Sequence, residues 1–144
     1  MAIAAVANEL SSTFKKVVLW GVGSYPDQSM YPCRPLREMK NAEALVVNGT
    51  NDNIVNSTKF SGKDKSAIFE SKMPPRLEEA NNRTSHYGYT QYVSIEGGNH
   101  SGCAHYGPQT FPLPDGIRSI TLEQQQRQMA EATADFLLYS SKKD

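Results

Sequence analysis

Very little in this chain marks it as a specialised protein class. Cysteine is scarce, with only Cys33 and Cys103 among 144 residues. Two cysteines cannot supply a disulfide framework or a four-ligand zinc site. Neither sign of charge dominates, since 15 Lys+Arg meet 15 Asp+Glu. The chain therefore lacks the cationic surplus with which nucleic-acid-binding proteins neutralise phosphates, and nucleic acid is not an expected partner. No apolar run approaches the ~18 residues that span a bilayer. The first ten residues have no basic n-region, and Lys15 and Lys16 come after the apolar stretch, so no signal peptide is read there. Ten Gly and eight Pro are too few for a fibrous or low-complexity chain. These exclusions leave a soluble globular domain whose compartment stays open. It is a single domain by length, large enough to bury roughly 68–70% of the surface that its unfolded chain exposes.

Three short runs rich in β-branched and apolar residues stand out, at about 16–20, 44–48 and 91–96. Each is followed by glycine, as expected of strands buried on both faces in a parallel sheet. Helical signals lie between and around them. In the first ten residues, Ile3, Val6, Ala7 and Leu10 recur at helical spacing. A turn or two is expected over 36–41. A further helix is expected over 64–72, ended by Pro74-Pro75. Residues 76–88 read as loop. Thr121-Leu-Glu-Gln124 has the capping-box pattern, which predicts a long helix over about 121–139. Its inward face would carry Leu122, Met129, Ala132, Thr133, Phe136 and Leu137. Strands alternating with helices predict an α/β fold of three parallel strands. The stretch 101–118 has no periodicity, and a structureless segment of that length in a compact domain is usually functional or disordered.

In open α/β sheets, functional groups collect beyond the carboxyl ends of the strands. Those positions hold Gly21-Val-Gly-Ser-Tyr-Pro26, Gly49-Thr-Asn-Asp52 and Gly97-Gly-Asn-His100. An acid, Asp52, and a base, His100, thus follow neighbouring strands. A carboxylate that accepts the imidazole Nδ1–H fixes the tautomer and stabilises the imidazolium, as a general base requires. The plainer alternatives are that Asp52 shapes an Asx turn in Thr50-Asn-Asp-Asn53 and that His100 is a loop residue.

At these residues the chain resembles the C-terminal half of an α/β-hydrolase, of the α/β hydrolase fold-5 type. Four stretches carry the resemblance: Val17-Val-Leu-Trp-Gly-Val-Gly-Ser-Tyr-Pro26, Leu45-Val-Val-Asn-Gly-Thr-Asn-Asp52, Ile95-Glu-Gly-Gly-Asn-His100 with Tyr106-Gly-Pro-Gln109, and Ile120-Thr-Leu-Glu-Gln-Gln-Gln126. By this resemblance Asp52 and His100 match the family's acid and histidine, and the three strands are the last three of its sheet. The family's nucleophile is a serine in a Gly-x-Ser-x-Gly elbow, and this sequence contains no such elbow. The alanine-rich start matches the helix that follows the elbow, so the resemblance implies a serine a few residues before Met1. A second departure is His105, where the family commonly has a bulky or acidic residue.

The resemblance implies a serine hydrolase of the carboxylic-ester type, acting on a small ester-like substrate and needing no cofactor or metal. Ser24 and Tyr25, just past the first strand, are expected to line the substrate pocket; otherwise they are loop and packing. Cys103, close to His100 in sequence, could serve as a nucleophile or simply fill space. His86, His100 and His105 do not have the spacing of a common metal motif. Of the four N-x-Ser/Thr triplets, only the one at Asn82 lies in a loop with room for a glycan. The rival reading is a non-catalytic α/β interaction module on the same scaffold. With the first strand at a sheet edge, self-association through that edge is expected.

Overall fold

A computed structural model describes residues 15–22, 37, 43–56, 70–71, 73–76, 88–105, 107–110 and 114–138. Among these residues, three strands form one sheet in the order β1-β2-β3: β1 is Lys16–Trp20, β2 Glu43–Gly49 and β3 Thr90–Ile95. Both pairings are parallel, with Lys16 opposite Glu43 and Gly49 opposite Ile95 at the two ends of the register. The middle position of β2 explains its composition. Ala44, Leu45, Val46 and Val47 are all buried, so the strand has no polar face and reads as a continuous apolar run. Burying a Val or Leu of this kind is worth about 1.5–3 kcal/mol.

The alternation of side chains along the strands divides the core in two. Val17, Leu19, Ala44 and Val46 pack with Met73 on one face. Leu45, Val47 and Ile95 pack with Met129 and Phe136 of the long helix Leu122–Leu138 on the other. The capping box expected at the start of this helix is present: Gln124 N donates to Thr121 Oγ1 at 3.1 Å and Thr121 N to Gln124 Oε1 at 2.9 Å. Its other end is tied to the sheet. Lys16 Nζ donates to the carbonyls of Phe136 (2.7 Å) and Leu137 (3.1 Å), a favourable place for a cation.

Several expectations are corrected in detail. The third strand ends at Ile95, and Glu96 belongs to the turn that follows, because Gly98 N reaches back to the Ile95 carbonyl at 3.1 Å. The inward face of the long helix includes Gln125, Met129 and Phe136, whereas Leu137 is half exposed. One residue is a 100° step around a helix, which carries Leu137 off the stripe that Phe136 occupies. Residues 101–118 are not wholly irregular, since Ser101–Cys103 form a 3₁₀ turn. Arg76, expected in a loop, makes a parallel bridge with Thr90. Of the helix expected over 64–72, only residues 70–71 are described, and they are helical. The expected helix in the first ten residues and the turns over 36–41 lie outside the described residues, except for Arg37. No helix among the described residues is long and apolar enough to cross a membrane.

Candidate functional site

The acid and the histidine stand on two loops stitched together at the ends of β2 and β3. Thr50 N donates to the Ile95 carbonyl (3.0 Å), Asn51 N to the Gly98 carbonyl (2.8 Å), and Gly97 N to Thr50 Oγ1 (2.8 Å). This approach requires glycine at position 49, where a Cβ would collide with the carbonyl of Gly98. Asp52 follows directly and caps the short helix Asn53–Asn56. Its Oδ1 accepts from Ile54 N (2.9 Å) and Val55 N (2.8 Å). Asp52 has no solvent exposure at all. Asp52 is thus an N-cap through Oδ1 and a hydrogen-bond partner of His100 through Oδ2.

His100 Nδ1 lies 3.0 Å from Asp52 Oδ2. The imidazole pKa is raised above its ordinary value, first by the hydrogen bond to Asp52, against the opposing effect of burial, with the charges of Asp52 and Asp115 adding to the rise. With Nδ1–H directed at the carboxylate, Nε2 is the basic nitrogen of the ring.

The histidine is mounted on a braced turn. Its backbone is helical (φ −62°, ψ −49°) and stands at the start of the 3₁₀ turn, but its own side chain makes no capping bond. Asp115 supplies that cap, accepting from His100 N at 3.2 Å and from Ser101 N at 2.7 Å. Asn99 spans the same turn, with Oδ1 accepting from Gly102 N (3.0 Å) and Nδ2 donating to the Gly116 carbonyl (2.8 Å). Behind it, the buried amide of Gln125 brackets the Asn99 backbone: Oε1 accepts from Asn99 N (3.1 Å) and Nε2 donates to Asn99 O (2.7 Å).

Asn99, Asp115 and Gln125 were not among the residues expected at the site. The signal for Gln125 was its place between Leu122 and Met129 on the helical stripe, where a polar residue is buried only if its amide is satisfied. Asn99 and Asp115 had turn-forming chemistry alone, since the pairing of their loops is set by tertiary structure.

Cys103 is close to the pair in space. A Cβ on Gly21 would lie 2.9 Å from its Sγ and 3.4 Å from His100 Nδ1. Burial, with the nearby charges of Asp52 and Asp115, pushes its thiol up to about 12. That is the opposite of the depressed value that makes a cysteine nucleophilic.

The expected pocket residues Ser24 and Tyr25 lie outside the described residues, as do Cys33, Asn82 and His86. A cleft of about 500 Å³ opens beside the turn, lined in part by Asn99, Ser101, Gln109, Asp115, Arg118 and Leu122. Neither Asp52 nor His100 lines it. Among the described residues, no three His, Cys, Asp or Glu side chains gather as a metal site would need. Compared with protein-family models, with curated proteins and with solved structures, the chain finds no match.

Proposed function

We propose that this chain carries the acid and the general base of a serine hydrolase of the α/β-hydrolase type, acting on carboxylic-ester-like substrates. The observation that carries the reading is the contact of 3.0 Å between His100 Nδ1 and Asp52 Oδ2, made by a carboxylate that is wholly buried and held by two backbone N–H groups. Three parallel strands with the acid after the second and the base after the third fit that family's order. The reading needs a serine in a Gly-x-Ser-x-Gly elbow, which these 144 residues do not contain.

In the reaction, the serine Oγ attacks the ester carbonyl carbon while His100 Nε2 takes the hydroxyl proton. Asp52 stabilises the imidazolium that results. The imidazolium then protonates the departing alkoxide, leaving an acyl-enzyme. Water, deprotonated by the same nitrogen, releases the acid and restores the serine. The chemistry uses no cofactor and no metal.

The rival reading, a non-catalytic interaction module, is favoured by the fact that none of the chain's own serines has the elbow's flanking glycines: Ser24, for instance, has Val22 and Pro26 two residues to either side. One experiment separates the two. The chain is expressed joined to whatever its reading frame encodes upstream and treated with a fluorophosphonate that labels activated serines. Labelling of an upstream Gly-x-Ser-x-Gly serine, lost in Asp52→Ala and in His100→Ala, is the expected result. In-frame stops directly upstream, or labelling indifferent to both substitutions, would favour the interaction module.

A further inference from the structure

We propose that Asp115 is a positioning residue for the Asp52–His100 pair: its carboxylate clamps the backbone on which the imidazole is mounted and so holds the ring against Asp52. This rests on the reading of Asp52 and His100 as acid and base, and extends it to the loop that carries Asp115.

The geometry supports it from both sides. The two oxygens of Asp115 accept separate N–H groups, those of His100 and Ser101. These are donors at the start of a helical turn, which lack intrahelical partners and which a carboxylate satisfies well. A rigid mount is needed there, because a small rotation of the His100 backbone moves the ring nitrogens by a large part of a hydrogen-bond length. Asp115 is itself anchored on the acid side. Asn51, the neighbour of Asp52, donates from Nδ2 to the Ile117 carbonyl at 2.9 Å. Asn99 Nδ2 holds the Gly116 carbonyl, and Ser119 N donates to the Gly97 carbonyl at 3.0 Å. The loop 114–119 thus touches the acid loop and the histidine loop together and fixes the distance between them. Asp115 also faces the cleft, of which it is part of the wall.

Charge alone could couple Asp115 to His100, so the test must separate charge from position. Among the described residues, the carboxylates that act on the imidazole are Asp52 and Asp115, and the Cys103 thiol lies close to it across Gly21. Hydrogen exchange read by mass spectrometry on the 144-residue chain reports two quantities. One is amide exchange in the peptide over 99–104. The other is the pH midpoint of exchange at the His100 imidazole C2–H. Wild type, Asp52→Asn, Asp115→Ala and the double variant form a cycle.

If Asp115 positions the ring, amide exchange over 99–104 rises by at least about tenfold in Asp115→Ala, which removes the acceptors of both the His100 and the Ser101 N–H. The drop in the His100 midpoint caused by Asp52→Asn then becomes markedly smaller in the Asp115→Ala background. If Asp115 acts by charge only, the two midpoint shifts add and amide exchange is unchanged, which overturns the proposal. Should Asp115→Ala not fold, Asp115→Asn takes its place: it loses the charge but keeps one acceptor, so positioning predicts a smaller rise in amide exchange over 99–104 with non-additive midpoint shifts, and charge alone predicts additive shifts with unchanged amide exchange. If Asp52→Asn leaves the midpoint of the wild-type chain unmoved, the acid–base reading itself falls and the proposal falls with it. An intact effect of Asp52→Asn with additive shifts removes Asp115 alone.

Discussion

The N–H of Asn51 donates to the carbonyl of Gly98 at 2.8 Å, and this bond joins the loop of the acid to the loop of the histidine. It forms only because Gly49, two residues earlier, presents no side chain to the Gly98 backbone. Ala at position 49 would push the two loops apart by its Cβ. The expected outcome for Gly49→Ala is a loss of about 1–3 kcal/mol, the usual cost of overpacking a filled site. The His100 pKa should fall with it, as the imidazole draws away from Asp52. Urea unfolding and a histidine titration check both effects. A variant as stable as the parent would mean that the loops are not in this close contact.

The pH dependence of stability follows from the direction of the His100 shift. Its pKa in the folded state is raised, chiefly by the hydrogen bond to Asp52. The folded chain thus binds the proton more tightly than the unfolded chain does. The stabilisation from His100 is fully present below the unfolded value of about 6.5 and is lost as pH rises from there through the folded pKa. Urea midpoints measured from pH 5.5 to pH 8.5 should fall across that interval, and the fall should be absent in His100→Gln. A profile that is flat in the parent chain would contradict the pairing.

Much of this fold is legible in the sequence because its central strand is buried on both faces, whereas β3 exposes Gln91 and Ser94. The run from Ala44 to Val47 has no polar member to break it, and the glycines that end each strand place Asp52 and His100 on adjacent loops. The capping box of Thr121 and Gln124 was also readable, being a local pattern with a local bond. The braces were not. Asp115 lies 15 residues from His100 and Gln125 lies 26 from Asn99, and nothing in either neighbourhood marks the partner. Leu137 is half exposed although it is as apolar as the buried Phe136 beside it, because hydrophobicity alone does not separate a stripe residue from one that is a 100° step beyond it.

The 144-residue chain should not turn over p-nitrophenyl esters. An acid–histidine pair cannot form an acyl-enzyme without a nucleophile, and the thiol described beside it, that of Cys103, is unsuited to the task. Cys103 has its pKa pushed up to about 12, so its thiolate fraction at pH 7 is on the order of 10⁻⁵, whereas an unperturbed cysteine has a few per cent. Iodoacetamide should accordingly alkylate Cys103 far more slowly than a free cysteine, by several orders of magnitude at neutral pH. Ester turnover that disappears in Ser24→Ala or Cys103→Ala would identify a substitute nucleophile and overturn this expectation.

The remaining prediction concerns the edge of the sheet. Among the described residues β1 pairs with β2 on one side only, while Val17 and Leu19 are buried within the strand and Trp20 is 39% exposed at its end. A strand in this position offers a row of N–H and C=O groups that can template pairing with another chain, and apolar strands do so most readily. Lys16 does little to blunt that edge, because its ammonium is engaged with the carbonyls of Phe136 and Leu137. The chain is therefore expected to sediment as a dimer or larger species at low micromolar concentration. Its apparent melting temperature should rise with protein concentration, as mass action requires when association stabilises the folded form. A single monomeric species with a cooperative, concentration-independent transition would show that β1 needs no further partner. It would also shift the balance from a hydrolase lacking its nucleophile towards an interaction module.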